Sequence, residues 1–208
     1  MIFQLDNRLI FPDPELAEPD GLLAIGGDLS TTRLLNAYAK GIFPWYSKKE
    51  PILWYSPHER FVLFPQELKI SKSMRKVLDS QEFKVTFNQD FLAVITACAS
   101  VFRSGQRGTW ITSDMENAYL ELHKEGKAHS VEVWQNEQLV GGLYGVEMPR
   151  IFCGESMFSK VSNASKTALV ALCQQKNYEL IDCQMHTDHL ESLGAKMISR
   201  TKFQTFLT

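Results

Sequence analysis

The chain has 208 residues, of which 44% are hydrophobic and 22% are charged, and its formal net charge at pH 7 is -2. This size and composition are typical of a globular protein with one large or two small domains, and they exclude a low-complexity chain. Because the net charge is close to zero, the field of the whole protein selects neither nucleic acid nor membrane. Any polyanionic partner therefore has to be bound by a local basic segment.

The sequence shows neither a targeting segment nor a membrane span. The opening MIFQLDNRLIFPDPE lacks a basic region followed by an apolar one, and no stretch approaches about 18 uninterrupted apolar residues. The four cysteines stand in apolar contexts without a CxxC pair, at Cys98, Cys153, Cys173 and Cys183. Such cysteines are typical of reduced, buried thiols rather than of a disulfide or a zinc site. We therefore expect a cytoplasmic protein without a metal.

Prolines interrupt residues 1–60 six times, so any helix in this segment must be short. One helix is predicted over residues 31–40, with Ser30 as its N-cap and Gly41 as its stop. We interpret residues 1–60 as a small N-terminal domain.

Large aromatic residues crowd the second half of this segment, at Phe43, Trp45, Tyr46, Trp54 and Tyr55. Aromatic side chains usually bury themselves, which favours the core of a small domain. They also form platforms on which nucleic-acid bases stack. The sequence leaves both interpretations open.

The segment KISKSMRK carries four basic residues and no acidic one. On a helix, Lys72, Arg75 and Lys76 have the spacing i, i+3, i+4 and share one face. Such a face is usually only solvated, but in a chain of balanced charge it is also the best local candidate for contacts with RNA phosphates.

Residues 61–208 read as one domain in which strands and helices are mixed. In order, the predicted elements are a strand FKVTF, helices DFLAVITACAS and SDMENAYLELHKEG, a hairpin HSVEVWQNEQLVGGLYGVEM, a strand IFCGESMFS, a helix NASKTALVALCQQ, a strand ELIDCQM, a helix HTDHLESLGA and a final strand SRTKFQTFL. The loop RGTWIT carries Trp110. This order predicts an α+β fold with a mixed sheet.

Three polar residues interrupt two otherwise apolar strands of this domain. Asp182 and Gln184 share one face of ELIDCQM, because strand side chains alternate, and Glu155 lies within IFCGESMFS. If the second face of ELIDCQM meets water, Asp182 and Gln184 are ordinary surface residues, an interpretation that Glu155 in the neighbouring apolar strand disfavours. If the two strands are parallel neighbours, all three side chains line one cleft of the kind that marks a functional site.

The order of elements resembles the acyltransferase superfamily related to histone acetyltransferases, in which two parallel central strands splay and the acyl donor enters the wedge. Members that use acetyl-CoA carry a glycine-rich loop at the start of the following helix, where backbone N–H groups bind the pyrophosphate. The corresponding stretch here, SKVSNASK, contains no glycine. The sequence therefore disfavours CoA as the donor.

A more specific resemblance covers nearly the whole chain. Its motifs are PDGLLAIGGDLS, GIFPWYS, PILWYSP, GTWIT, AHSVEVW, LVGGLYGV, FCGESMFS, NASKTAL and LIDCQM. Together they resemble the leucyl/phenylalanyl-tRNA-protein transferases. The resemblance implies an enzyme that moves Leu or Phe from Leu-tRNA or Phe-tRNA to the α-amine of proteins with N-terminal Arg or Lys, which marks them for N-degron proteolysis. It implies a small N-terminal domain on a GCN5-related, acyltransferase-like domain and no cofactor, and we expect a monomer.

The resemblance also implies roles for individual residues. Asp182 and Gln184 match the catalytic pair, Trp45 and Trp110 match positions near the terminal adenosine, and Phe152, Glu155, Leu169 and Ile181 match positions that line the amino-acid pocket. Leu143 stands where a methionine is common in the family, which leaves the preference between Leu and Phe open.

The chemistry of such a transfer is modest, because an aminoacyl ester is already activated. The acceptor α-amine has a pKa of about 7.7 to 8.0, so a strong base is unnecessary. The family account makes Gln184 the base, but an amide oxygen is very weakly basic. We expect instead that Asp182 accepts a hydrogen bond from the side-chain amide of Gln184 and so aims its oxygen at the amine. Glu155 could bind the donor's ammonium group or the acceptor's cationic side chain.

Two other functions remain as alternatives at this stage. A CoA-dependent N-acetyltransferase fits the order of elements but lacks the glycine loop. A non-catalytic RNA-binding module fits the aromatic residues and KISKSMRK but does not explain the acids in apolar strands.

Overall fold

A computed structural model describes residues 2–101, 109–175 and 177–207. Within these ranges the strands are β1 (Phe3–Leu5), β2 (Leu22–Gly26), β3 (Phe43–Pro44), β4 (Leu53–Tyr55), β5 (Glu59–Leu63), β6 (Lys84–Phe87), β7 (Ala128–Gln135), β8 (Gln138–Glu147), β9 (Ile151–Ser159), β10 (Leu180–Gln184) and β11 (Lys196–Ser199). The helices are α1 (Thr31–Tyr38), α2 (Lys72–Asp79), α3 (Phe91–Ser100), α4 (Ser113–Lys124), α5 (Ala164–Gln175), α6 (Asp188–Ser192) and α7 (Arg200–Gln204).

The N-terminal segment forms a four-stranded sheet in the order β1-β2-β4-β3, with α1 between β2 and β3 in the chain. The Ser30 side chain accepts a hydrogen bond from the backbone N–H of Arg33, which caps α1 as the sequence predicts. The chain then turns at Gly41, whose φ of 72° suits a residue without a side chain. The following strand, β3, pairs with β4 at one edge of this sheet.

The larger sheet has seven strands in the order β11-β5-β10-β9-β8-β7-β6. The β10–β9 pair is parallel and the other neighbours are antiparallel, with α5 as the crossover between β9 and β10. The hairpin β7–β8 turns at Asn136 and Glu137, which both have positive φ as a tight two-residue hairpin requires. The predicted α+β fold with a mixed sheet is confirmed.

The two parallel strands separate halfway along. Their pairing runs from Leu180 opposite Ile151 to Asp182 opposite Cys153, and β9 then continues to Ser159 beside β8 alone. On the other edge of β10, the register with β5 shifts between Asp182 and Gln184. This bulge ends the strict alternation predicted for ELIDCQM, and the separation opens a wedge between β9 and β10.

One hydrophobic cluster joins the N-terminal segment to the larger sheet. It includes Leu34 and Trp54 from the segment and Val146 and Leu180 from the sheet, all without exposed surface. Burying a side chain of this size contributes about 1.5 to 3 kcal/mol. The division at residues 60 and 61 stays a prediction, and β5, which starts at Glu59, spans it. A second cluster packs α5 against the other face of the sheet.

The predicted final strand SRTKFQTFL is wrong. The last strand is β11, formed by KMIS and paired with β5, and most of the predicted segment is the helix α7. Ser199 caps this helix by accepting from the backbone N–H of Lys202. Phe203, Phe206 and Leu207 have the helical spacing i, i+3, i+4 and pack on the first hydrophobic cluster. This cap and this spacing outweigh the partial alternation of the sequence.

The four cysteines are free thiols, three of them buried and Cys183 partly so. None of the helices in the described ranges has the length and the apolar character that crossing a membrane requires.

Candidate active site

A cavity of about 350 Å³ lies in the wedge between β9 and β10. It brings together every residue that the sequence placed in the catalytic pair, the amino-acid pocket and the adenosine site: Trp45, Trp110, Leu143, Phe152, Glu155, Leu169, Ile181, Asp182 and Gln184. Further apolar lining comes from Met157, Leu172 and Leu190. The cavity is thus an apolar pocket that ends on two acids and an amide, as the cleft prediction required.

The aromatic residues of the N-terminal segment divide between core and cavity. Trp54 is fully buried in the hydrophobic core, Phe43 is 2% exposed and belongs to both the core and the cavity lining, and Trp45 is 37% exposed and lines the cavity. Trp110 is half-buried on its loop and lines the same cavity. The core interpretation is confirmed for Trp54 and Phe43, whereas base stacking on Trp45 stays a prediction.

Glu155 is buried among neutral hydrogen-bond donors. Its Oε1 lies 2.8 Å from the Tyr38 hydroxyl and 2.9 Å from Gln184 Nε2, and its Oε2 lies 2.9 Å from the Tyr119 hydroxyl. Burial raises the pKa of Glu155 to about 7, and the hydrogen bonds from Tyr38, Tyr119 and Gln184 limit the rise. Near neutral pH this carboxyl is therefore present both with and without its proton.

The two tyrosine hydroxyls and Glu155 form a closed ring of oxygens, because the hydroxyls of Tyr38 and Tyr119 lie 2.5 Å apart. Three contacts need three protons, and the two hydroxyls supply only two. The third proton is available when the Glu155 carboxyl is protonated. The ring is then fully hydrogen-bonded, with Glu155 donating from Oε2 and still accepting from Gln184 at Oε1.

Gln184 owes its orientation to this ring and to its own backbone. Its φ of 61° lies in the left-handed region, which is uncommon for a residue other than glycine. Its side-chain Nε2 donates to Glu155, so the opposite atom of the amide, Oε1, is the one that can accept from an amine in the cavity. The ring therefore fixes which end of the amide faces a substrate.

Asp182 is fully buried, and both of its oxygens are occupied by Arg60. Arg60 Nε donates to Oδ1 over 2.9 Å, and Nη2 donates to Oδ2 over 2.8 Å. Oδ1 also accepts from the backbone N–H of Gln184, again over 2.9 Å. The expected bond from the Gln184 side-chain amide to Asp182 is wrong, because the bulge in β10 turns that amide toward Glu155.

Sequence reasoning missed Arg60, Tyr38 and Tyr119. Arg60 stands in ERFVL and shares one face of that strand with the buried Val62. An arginine on the inward face of a strand indicates a buried acidic partner. Tyr38 and Tyr119 lie on the buried faces of α1 and α4, where a hydroxyl needs a partner. These signals identify a buried polar residue but not its partner.

The cysteines near the site are unsuited to nucleophilic catalysis. Burial raises the pKa of the Cys153 and Cys183 thiols well above the usual range, so both remain protonated. Covalent transfer through either sulfur is therefore disfavoured.

A group of metal-ligand types follows Gln184. Ligand atoms of His186, Asp188 and Glu191 lie within 4.8 Å of one another, and all three residues are exposed. His186 Nε2 lies 3.0 Å from Glu191 Oε2, and this contact accounts for the proximity of these two residues without an ion.

The predicted basic helix is α2, and Lys72, Arg75 and Lys76 are all exposed on it. Met74, on the opposite side, is 3% exposed and anchors the helix to the protein. The three basic residues do not line the cavity. They form a separate surface, which we call the α2 basic face.

Acyl transfer from a bulky donor requires an apolar pocket for the acyl side chain beside groups that hold an amine. The wedge between β9 and β10 holds an apolar pocket that ends on the polar side chains of Glu155 and Gln184. This combination is the one expected of an α+β acyltransferase.

Comparison with known proteins gives the family. The family model described as leucyl/phenylalanyl-tRNA protein transferase matches residues 62–208, and the model of its N-terminal domain matches residues 27–58. Proteins named leucyl/phenylalanyl-tRNA–protein transferase are similar over nearly the whole chain. The protein of Flavobacterium johnsoniae is 56% identical over 99% of both chains. That of Hydrogenovibrio crunogenus is 55% identical over 99% of this chain and 82% of its own. The chain belongs to the leucyl/phenylalanyl-tRNA protein transferase family.

Similarity to solved structures is lower. A GCN5-related N-acetyltransferase from Kribbella flavida is 8% identical with a TM-score of 0.40, over 78% of this chain and 58% of its own. The structure of L-PGS from Bacillus licheniformis is 14% identical with a TM-score of 0.41, over 82% of this chain and 57% of its own.

Proposed function

We propose that the protein transfers Leu or Phe from its aminoacyl-tRNA to the α-amine of proteins that begin with Arg or Lys. A peptide bond forms as the amine attacks the ester carbonyl, the ester C–O bond breaks, and the tRNA leaves with a free hydroxyl. The observation that carries the proposal is the apolar cavity that ends on Gln184, Glu155 and Asp182, in a chain of this family.

The apolar side chain of the donor would occupy the pocket formed by Leu143, Phe152, Leu169 and Ile181. All four are at most 3% exposed, so a Leu or Phe side chain in this pocket would contact apolar surface that is shielded from water. A charged or polar side chain would lose its hydration here without a partner, which supports selection of apolar aminoacyl groups.

The terminal adenosine would stack on Trp45 and Trp110. Trp45 is the more accessible of the two, and its ring meets Tyr55 edge-on with 5.8 Å between the centroids. Support from Tyr55 leaves a face of the indole free for a base. Stacking of this kind contributes about 1 to 3 kcal/mol per base.

Gln184 would hold the attacking amine with its Oε1, as a positioning acceptor rather than as a strong base. Near pH 7 an α-amine with a pKa of about 7.7 to 8.0 is already partly neutral, so correct placement supplies most of the benefit. Glu155 would fix this orientation through its bond to Gln184 Nε2. It already has three donors and is 8% exposed, which favours this role over binding a cationic substrate group.

The α2 basic face would contact tRNA phosphates outside the cavity. Replacing Lys72, Arg75 and Lys76 by Ala should weaken binding of charged tRNA and lower the slope of log K against log salt by up to about one per lost contact. A matched control replaces the exposed Lys124, the last residue of α4, and the exposed Lys127, three residues after it. An unchanged salt slope would exclude the α2 basic face.

The decisive experiment measures transfer of labelled Leu or Phe from charged tRNA to a peptide with N-terminal Arg. We expect peptide-bond formation, with peptides that begin with Lys also accepted and acetylated N-termini rejected. Acetyl-CoA with the same peptide tests the acetyltransferase alternative and should give no product. Binding of charged tRNA without turnover would favour the RNA-binding alternative instead.

Two further parts of the proposal concern the setting of the enzyme. A cytoplasmic location agrees with four free cysteines, which stay reduced there. A monomer agrees with a cavity whose proposed catalytic, pocket and stacking residues all come from one chain. Sedimentation of the purified protein tests the second point.

A further inference from the structure

The backbone of Gln184 needs an external support. Its positive φ and the bulge between Asp182 and Gln184 aim the side chain into the cavity, and a non-glycine residue does not keep such a conformation unless its surroundings hold it. The bond from the Gln184 backbone N–H to Asp182 Oδ1 supplies that hold. The position of the Asp182 carboxylate therefore decides where Gln184 points.

Arg60 in turn decides the position of the Asp182 carboxylate. Asp182 lies opposite Val62 in the β10–β5 pair, so Arg60, two residues along β5, is its diagonal neighbour. Its planar fork binds both carboxylate oxygens, which fixes the carboxylate in direction as well as in distance. A lysine could keep the charge but not this two-point contact.

The Arg60 guanidinium is itself held from three sides. Its carbon lies 4.6 Å from the centroid of the Phe43 ring and 4.6 Å from that of Phe203, and Nη1 donates to the carbonyl oxygen of Gly41 over 3.1 Å. An added Cβ at Gly41 would come within 3.1 Å of the Phe203 ring. The turn after α1 and the helix α7 thus form one clamp on Arg60.

We propose that Arg60 is a positioning residue for the transfer reaction, acting through Asp182 on the backbone of Gln184. This inference rests on the proposed function and adds to it a residue outside the cavity lining. It assigns no contact with substrate to Arg60.

The test compares Arg60→Lys, Arg60→Met, Asp182→Asn and the double variant Arg60→Met with Asp182→Asn. For each, kcat and KM of transfer are measured together with affinity for charged tRNA and the melting temperature. Arg60→Lys should lower kcat about tenfold and Arg60→Met about 100-fold, because small displacements of reacting groups have effects of this size. Affinity for charged tRNA should stay the same.

The double variant separates positioning from general destabilisation. If Arg60 acts through Asp182, adding Arg60→Met to Asp182→Asn should lower kcat little further. Arg200→Met is the matched control, because Arg200 is also buried, binds both oxygens of Glu15 and donates to the carbonyl oxygen of Ser56. Its loss should lower the melting temperature, and kcat should fall far less than in Arg60→Met.

Unchanged kcat in a folded Arg60→Lys protein would overturn the inference, as would losses that multiply fully in the double variant. If Arg60→Met fails to fold, Arg60→Lys decides by the same criteria, alone and combined with Asp182→Asn. An active wild-type protein with unaffected Arg60 variants would refute this inference alone, whereas an inactive wild-type protein would refute the proposed function and this inference with it.

Discussion

Asp182 and Glu155 are both buried at one cavity on adjacent parallel strands, yet their surroundings are opposite in kind. Asp182 is paired with a cation, and both its oxygens are bound by Arg60. Glu155 accepts from two tyrosines and an amide, none of them charged. The first arrangement places a cation against the carboxylate, whereas the second lets a proton enter and leave near neutral pH. One site thus combines an ion-paired acid with an acid that titrates near neutral pH.

The largest expected effect comes from Asp182→Ala. This change leaves the Arg60 guanidinium buried without its partner and removes the acceptor for the Gln184 backbone N–H. Breaking a buried pair on one side costs about 3 to 5 kcal/mol of stability, and kcat should fall more than in any other single variant. Urea unfolding and transfer kinetics measure the two losses. Asp182→Asn should be milder in both, because Asn keeps an acceptor oxygen.

Gln184→Glu should lower kcat about 100-fold, as a misplaced reacting group does. The new carboxylate would meet Glu155, 2.9 Å from the present Gln184 Nε2, and would have no N–H to donate. A true base at this position should instead be improved by the change, because a carboxylate is more basic than an amide. A fully active variant would thus refute the positioning role. Affinity for charged tRNA should not change.

Stability should depend on pH through Glu155. Its pKa is raised from 4.5 to about 7, so the folded state takes up a proton that the unfolded state releases. The resulting contribution to the free energy of unfolding is fully present below pH 4.5 and is lost as the pH rises through about 7. Glu155→Gln mimics the protonated form and should remove this dependence. Between pH 4 and pH 8, the free energy of unfolding of Glu155→Gln should rise by on the order of 3 kcal/mol relative to that of wild type.

The matched control for that experiment is Glu132→Gln. Glu132 is also fully buried, and within the described part of the chain it accepts from the hydroxyls of Thr86 and Ser130 and from the backbone N–H groups of Gln89 and Asp90. An amide NH₂ would face donors there, so Glu132→Gln should destabilise the protein without changing the kcat of transfer. The same substitution should thus have different effects at the two glutamates.

The smallest expected effect belongs to Tyr119→Phe. It opens the oxygen ring but leaves the bond between Glu155 and Gln184, so stability should fall by about 1 kcal/mol, as for one hydrogen bond. Tyr38→Phe should have a larger effect on kcat, because Tyr38 shares Glu155 Oε1 with Gln184. Equal kcat losses for the two variants would contradict this difference and would mean that kcat depends on the intact ring rather than on Tyr38 in particular. Steady-state kinetics distinguish these outcomes.

The sequence predicts which residues meet in the cavity but not how they are connected. Glu155, Asp182 and Gln184 stand out in the sequence because they interrupt apolar strands, and such a pattern depends only on neighbouring residues in the chain. The bulge after Asp182 is not visible, since it depends on how β5 and β10 pair, and it changes the partner of the Gln184 amide. Arg60 could be identified as a buried arginine, but its pairing with Asp182 is settled only by strand order.

The α7 error has the same origin. A short segment such as SRTKFQTFL suits either a strand or a helix by its apolar spacing, and the serine cap and the packing of Phe203 decide between them. The role of Phe203 beside Arg60 depends on that outcome. A local misassignment therefore hides the contact between Phe203 and Arg60, the residue that binds Asp182.

The polar contacts of the site join residues that are far apart in the chain. Arg60 and Asp182 are 122 positions apart, Tyr38 and Glu155 are 117 apart, and the Arg60 clamp is complete only when Phe203 is in place. During synthesis, a nascent chain that has not yet emerged from the ribosome as far as α7 cannot assemble the site. Contacts of such long sequence separation also form late in folding, because they close large loops. The candidate site is therefore complete only after α7 has been made and Phe203 has packed against Arg60.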